Sequence, residues 1–322
     1  MKKILITGCA GFIGFHLTKN FLKKKFKIIG IDSLNNYYSK NLKMKRLSIL
    51  RRFKNFDFKK IDLKNYEKVN NFLNRKKIDI IFHLAAQPGV RVSIMKPFNT
   101  LQQNISTFSN IIEIARMKKV KKFIYASSSS VYGDTKIYPF VENDKENKPI
   151  SVYGSTKLSN EIIASSYSKN FQINCVGLRF FTVYGPYGRP DMAYYSFLDN
   201  LKKNIPINVF NRGAMKRDFT YIDDVIEAII KVSKMNVKNN HVILNIGKGK
   251  PDKLMDLIEL LQKNYGKKFK IKFRDKIPQG DIKKTFSNIS MAKKLINFKP
   301  KTNLNNGIRK FVDWYKNFYE IR

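Results

Sequence analysis

Lys3-Ile4-Leu5-Ile6-Thr7-Gly8-Cys9-Ala10-Gly11-Phe12-Ile13-Gly14 opens the chain and decides the fold. Residues 3–7 are apolar enough for a buried strand, and Leu17, Phe21 and Leu22 follow at helical spacing. Between them stand Gly8, Gly11 and Gly14, with Phe12 and Ile13 leading into the helix. A strand, a glycine turn and a helix N-terminus in that order suit a pyrophosphate. The turn needs unusual backbone angles, the anion must approach the main chain closely, and free N–H groups and the helix dipole hold it. A lone glycine pattern is a weak signal, so its surroundings carry the weight.

The next strand, predicted over 26–31, ends in Asp32, where a dinucleotide fold places the acid that binds the adenosine ribose hydroxyls. A 2′-phosphate would meet that charge at short range, which favours NAD over NADP; a plain strand-end turn is the other reading of Asp32. A helix over 42–50 leads to a strand over 56–61 that closes on Asp62-Leu63, placed to meet the adenine. The fourth strand, 78–82, runs into His83-Leu84-Ala85-Ala86-Gln87, whose small residues leave room for a flat ligand at the sheet edge. His83 reads as a satisfied strand-end histidine rather than a catalyst. Residues 88–93 read as a loop carrying Arg91 on the ligand side, residues 97–117 as one long helix containing Asn104, and 121–127 as the fifth strand.

Composition narrows the class. A chain of 322 residues can bury one large core, or a main domain with a smaller second one. The 63 Lys and Arg against 24 Asp and Glu give a formal charge of +39, which raises the possibility of nucleic acid. The lysines are scattered through every segment with no nucleic-acid motif among them, so the charge reads as incidental surface that still attracts anionic ligands. Cys9 and Cys175 lie far apart, without disulfide or metal-ligand spacing. The opening apolar run is too short for a signal sequence and no later run approaches membrane-spanning length. A soluble, cytoplasmic protein with no membrane, metal or nucleic-acid partner is expected.

The chemistry centres on Tyr153-Gly154-Ser155-Thr156-Lys157. Helical spacing puts the phenol and the ammonium on one face, and a neighbouring cation favours the phenolate that a general base needs. An isolated pair of this kind is more often plain helix surface. Here Ser127-Ser128-Ser129-Ser130 precedes it at the carboxyl end of the fifth strand, where serine hydroxyls meet the same ligand edge.

Taken together, the glycine turn, Asp32, Asp62, residues 83–86, the serine run before Val131-Tyr132-Gly133, and Tyr153 with Lys157 resemble the extended short-chain dehydrogenase/reductase superfamily. These are NAD-dependent epimerases and dehydratases of nucleotide sugars, and the likeness covers nearly the whole chain. Asp32-Ser33-Leu34-Asn35-Asn36-Tyr37-Tyr38 with Leu42-Lys43, Ala86-Gln87-Pro88-Gly89-Val90-Arg91, and 181–193 resemble the UDP-glucuronate 4-epimerases in particular.

The resemblance implies an α/β, Rossmann-like doubly wound parallel sheet, with a smaller mixed α/β C-terminal substrate-binding region. Residues 1–180 would bind NAD and 181–322 mainly the nucleotide sugar, interleaved and without a clean boundary. It implies an isomerase in which Tyr153, Lys157 and Ser128 are catalytic and NAD is tightly bound. NAD would be met by Gly8, Gly11, Phe12, Ile13, Gly14, Asp32, Asn35, Asn36, Lys43, Asp62, Leu63, Leu84, Ala85, Ala86, Gln87 and Asn104, besides Tyr153 and Lys157. The UDP-sugar would be met by Arg91, Ser129, Ser130, Thr182, Arg189, Arg217 and Asp281. Dehydratases carry Asp-Glu where this chain has Ser129-Ser130, which argues against elimination. A 4-epimerase for UDP-glucose or UDP-N-acetylglucosamine, a UDP-glucuronate decarboxylase and a non-catalytic NAD-binding protein are the alternatives. The family often pairs as homodimers through helices here at 97–117 and 151–170, and its sugars serve polysaccharide biosynthesis.

Beyond a strand over 174–179 the alternation loosens: a helix over 194–203, a strand over 215–222, a helix over 223–234, a strand over 242–246, a helix over 253–263, a strand over 269–273 and a last helix over 304–319. Ile308, Phe311, Val312 and Tyr315 in that last helix have the spacing of a core stripe.

Overall fold

A computed structural model describes residues 2–144, 147–237 and 241–319. Its centre is a parallel sheet made of β1 (Lys3–Thr7), β2 (Lys27–Asp32), β3 (Phe56–Lys60), β4 (Ile80–His83), β5 (Lys122–Ser128), β6 (Asn174–Phe180) and the strand His241–Ile246. From one edge the order is His241–Ile246, β6, β5, β4, β1, β2, β3. The chain runs outward from β1 to β3, then crosses back to β4 and builds the other way. That reversal opens a crevice at the carboxyl ends of β1 and β4, where open α/β sheets bind their ligands.

Both faces of the sheet are covered, so its strands need apolar residues at successive positions rather than at alternate ones. Ile4 and Ile6 of β1 pack into one layer with Phe15, Phe82 and Ile124, and Leu5 into the other with Ile81, Phe108 and Phe123. The strand His241–Ile246 lies far along the chain, in the sugar-binding half by sequence, yet it extends this first sheet. Among the described residues no helix is long and apolar enough to cross a membrane.

The C-terminal part is built of small pieces: Thr182–Tyr184 beside Phe219–Tyr221, Ile207–Phe210 beside Ile271–Arg274, and Lys216–Arg217 beside Asp252–Lys253. The last helix, Leu304–Tyr319, buries Ile308, Phe311, Val312 and Tyr315, as its spacing predicts.

Three segments differ from the sequence reading. Residues 88–93 are not simply a loop, because a short helix, Val90–Met95, starts after Gly89, whose φ is 107°. The long helix of 97–117 is interrupted by a π-helical turn, Gln102–Ser106, which turns Asn104 inward until it is 1 % exposed. The strand expected over 215–222 is broken at Asp218. That carboxylate is buried and accepts hydrogen bonds from Lys248 N, Gly249 N and Ser287 N and Oγ, wiring three segments together. The helix Tyr66–Leu73, with Asn65 as its N-cap, is a further element that the sequence reading lacked.

Candidate active site

Apart from Asn36, Gln87 and Asn104, every residue singled out from the sequence lines one cavity of about 860 Å³ along the carboxyl edge of the sheet. Asn36 is exposed outside it, and the other two act within the fold. Asn104 accepts from Gln87 N at 2.7 Å, donates to Gln87 O at 3.1 Å and reaches Thr156 Oγ1, so it clamps the segment after β4 rather than facing the cavity. Gln87 spends its side chain on Pro88 O.

At the β1 end, the helix Phe12–Lys23 begins at Gly11 with no side-chain cap, leaving its first amides free toward the cavity. A Cβ at Gly14 would lie 2.0 Å from Gly8 O, and one at Gly8, where φ is 70°, would lie 2.8 Å from Ala85 N. The turn is therefore pressed onto the strand ends, and its backbone is what a ligand meets. Asp32 accepts from Ala10 N at 3.0 Å and Leu34 N at 2.8 Å, which fixes its carboxylate beside that turn. Lys43 donates to Asn35 O and Oδ1, so the two form one unit at the same end. A bare helix start for a pyrophosphate and a carboxylate for the ribose hydroxyls next to it fit a dinucleotide.

In the middle of the cavity the helix Val152–Phe171 presents Tyr153 and Lys157 one turn apart. Lys157 is 2 % exposed and donates to Ala126 O at 2.9 Å. Burial pulls its ammonium down to about 8, against the opposing pull of Glu161. Ser128 accepts from Ser130 N to cap the short turn Ser129–Tyr132, donates to Ser130 Oγ, and stands close enough to the Tyr153 phenol to favour its phenolate. The phenol itself differs from expectation. Burial raises it above the ordinary tyrosine value, and the cation that opposes burial is Arg189 rather than Lys157, whose Nζ stands 5.9 Å from the ring centre.

Arg189 is itself engaged: its Nε and Nη2 donate to the two oxygens of Asp191, and the Tyr37 hydroxyl donates to Asp191 Oδ2 at 2.9 Å. Tyr37 and Asp191 line the cavity too. Neither was singled out, although both stand in the stretches that carry the resemblance, and an acid two residues from an arginine was the available signal. Arg46, which the sequence reading did not single out, is fully buried and donates to Ala10 O, Tyr187 O and Gly188 O. Together with His16, whose Nε2 lies 2.9 Å from Pro186 O, it hangs the 186–191 loop on the glycine-turn half.

At the far end Arg217, Asp281 and Arg91 meet. Arg91 pairs with Asp281 at 3.0 Å, and burial lowers Arg217 while Asp281 opposes that shift. Asn208 and Phe210 line this end from a strand the sequence reading lacked. His83 shares a hydrogen bond with Thr7 Oγ1 and is held near 3 by burial, a neutral strand-end residue.

Comparison with known proteins matches residues 4–247 to the model of the NAD dependent epimerase/dehydratase family. The chain is 41 % identical to the protein CapI of Staphylococcus aureus, over 99 % of each chain. It is 36 % identical to a UDP-glucuronate 4-epimerase of Thermodesulfobacterium geofontis, over 100 % of this chain and 98 % of the other. Among solved structures it is similar to the UDP-glucuronic acid 4-epimerase of Bacillus cereus in complex with UDP-glucuronic acid and NAD. There the TM-score is 0.90 at 36 % identity, covering 98 % of this chain and all of that one.

Proposed function

Because the chain belongs to the NAD dependent epimerase/dehydratase family, we propose that it interconverts UDP-glucuronate and UDP-galacturonate by transient oxidation at C4. The observation that carries the sugar assignment is a guanidinium, Arg189, which lines the same cavity as Tyr153 and whose charge opposes the effect of burial on that phenol. In a hexuronate the carboxylate sits on C5, the carbon next to the one that reacts, so a base for O4 and a cation for the carboxylate must stand side by side.

In this reading residues 1–180 hold NAD, through the glycine turn, Asp32 and Lys157, and 181–322 mainly hold the UDP-sugar. Bound NAD supplies a reversible hydride acceptor for C4. Tyr153 takes the O4 proton and later returns it, and Ser128 holds that oxygen in line. Lys157, charged at neutral pH with a value near 8, binds ribose hydroxyls. Arg217 grips the pyrophosphate while the flat 4-ketone turns over, so that its opposite face is reduced. A 4-ketouronate is a β-keto acid. Arg189, Thr182, Ser129 and Ser130 hold its carboxylate where the bond to carbon dioxide is not aligned to break.

Proton NMR of the purified protein with UDP-glucuronate, UDP-glucose or UDP-N-acetylglucosamine, without added NAD, tests the reading. UDP-galacturonate should form from the first, and turnover of only the neutral sugars would discard the uronate. Arg189→Ala should lower uronate turnover at least ~10-fold; parent-like epimerisation would remove its assigned part.

We further assign the protein to the cytoplasm, where it supplies a sugar nucleotide for polysaccharide biosynthesis, and to a homodimer. Phe98, Leu101 and Ile162, exposed on helices Pro97–Leu101 and Val152–Phe171, support that pairing.

A further inference from the structure

The guanidinium of Arg189 presents five N–H groups, and the structure shows which are taken. The Nε–Nη2 side faces Asp191, at 3.0 and 2.5 Å, and the Nη1 end makes no hydrogen bond to a side chain or carbonyl among the described residues. Asp191 is in turn held by the Tyr37 hydroxyl. Tyr37 comes from the loop after β2, whose Asp32 lies at the glycine turn, and Gly89 from the segment after β4 lets it through. A Cβ at Gly89 would stand 2.6 Å from the Tyr37 oxygen. Three loops therefore converge on one carboxylate whose partner is the cation beside the catalytic tyrosine.

From this arrangement we infer that Asp191, held by Tyr37, is a specificity-determining positioning residue: it fixes Arg189 so that the Nη1 end of the guanidinium receives the sugar carboxylate. This rests on the uronate reading above.

An unpinned arginine has several rotatable bonds to freeze on meeting a ligand. Held beforehand, it loses that freedom on folding instead, and binding keeps the difference. Asp191 uses the side of the fork that a second carboxylate does not need, so it orients Arg189 without competing for the Nη1 end. Burial alone would raise the Asp191 carboxyl, but Arg189 and the Tyr37 hydrogen bond hold it below the usual range, so it stays an anion. Burial raises the Tyr37 phenol, so it stays a donor. For a neutral sugar the pair is already satisfied and contributes nothing selective.

The test is calorimetric titration of NAD-loaded Tyr153→Phe protein, which cannot turn over, with UDP-glucuronate and UDP-glucose, alone and with Asp191→Asn or Tyr37→Phe added. The background protein should prefer UDP-glucuronate about 10-fold or more. If it does not, the uronate reading fails and this inference falls with it. Asp191→Asn should weaken UDP-glucuronate about 10-fold and leave UDP-glucose within about twofold. Tyr37→Phe should move the ratio the same way by less. An unchanged or tighter uronate affinity in Asp191→Asn, or equal loss of both sugars, would overturn the inference while leaving the uronate reading in place. Should Asp191→Asn fail to fold, the Tyr37→Phe ratio decides alone.

Discussion

Tyr153, Lys157 and Glu161 occupy successive turns of one helix, and the third member gives the first two their setting. Glu161 is buried, accepts from Ser127 Oγ, and forms a two-point pair with Arg179 of β6, the side chains being 6 % and 3 % exposed. It thereby ties the catalytic helix to β5 and β6 and raises Lys157 against the pull of burial. Removing one partner of such a pair strands the other charge out of water. Glu161→Gln should therefore destabilise the protein by about 3–5 kcal/mol in urea unfolding. A loss under about 1 kcal/mol would mean that water reaches Arg179.

Within the elements, the glycine turn and the 186–191 loop are the parts that place the chemistry. Gly14 has no slack, since its added Cβ would meet backbone, Gly8 O at 2.0 Å and Gly8 C at 2.8 Å, and not a side chain that could swing away. Gly14→Ala should lower stability by about 1–3 kcal/mol or more and strip bound NAD, read as a lower melting temperature and less nucleotide released per chain. Unchanged NAD content would mean that the turn can open without harm to the anion cradle. The 186–191 loop has little regular structure of its own. His16, Arg46 and Tyr37 hold it, and Tyr187 sits at a φ of 55° with its ring packed against Phe15, Trp314 and Phe318.

Across the whole molecule, acid should act through buried histidines. His16 and His241 are held near 4 and His83 near 3, in each case first by burial. All are depressed below the ordinary value of 6.5, so between about pH 6.5 and the folded value the unfolded chain binds more protons and stability falls as pH falls. His83, 3 % exposed, should alone remove about 2 kcal/mol between about pH 7.5 and pH 5. Urea unfolding at both values checks this, and His83→Gln should flatten the dependence. An equally steep variant would assign the acid sensitivity to other groups.

Sequence by itself determined what depends on neighbours along the chain. The first strand, the glycine turn and the helix after it are written within a dozen residues, because backbone angles and hydrophobic period are local properties. Asp32 at a strand end and the Tyr153–Lys157 spacing are legible for the same reason. Only the tertiary structure decided which charges meet. Arg46 is buried with partners Ala10, Tyr187 and Gly188 that come from distant segments. Asp218 breaks a predicted strand because Lys248, Gly249 and Ser287 complete its hydrogen bonds. Arg189 reads as a lone cation until Tyr37 and Asp191 reach it, and Arg189, not Lys157, acts on the phenol. A side chain's charge and hydrogen bonds are set by what lies within a few ångströms in space, and those neighbours lie at separations that no sequence period encodes.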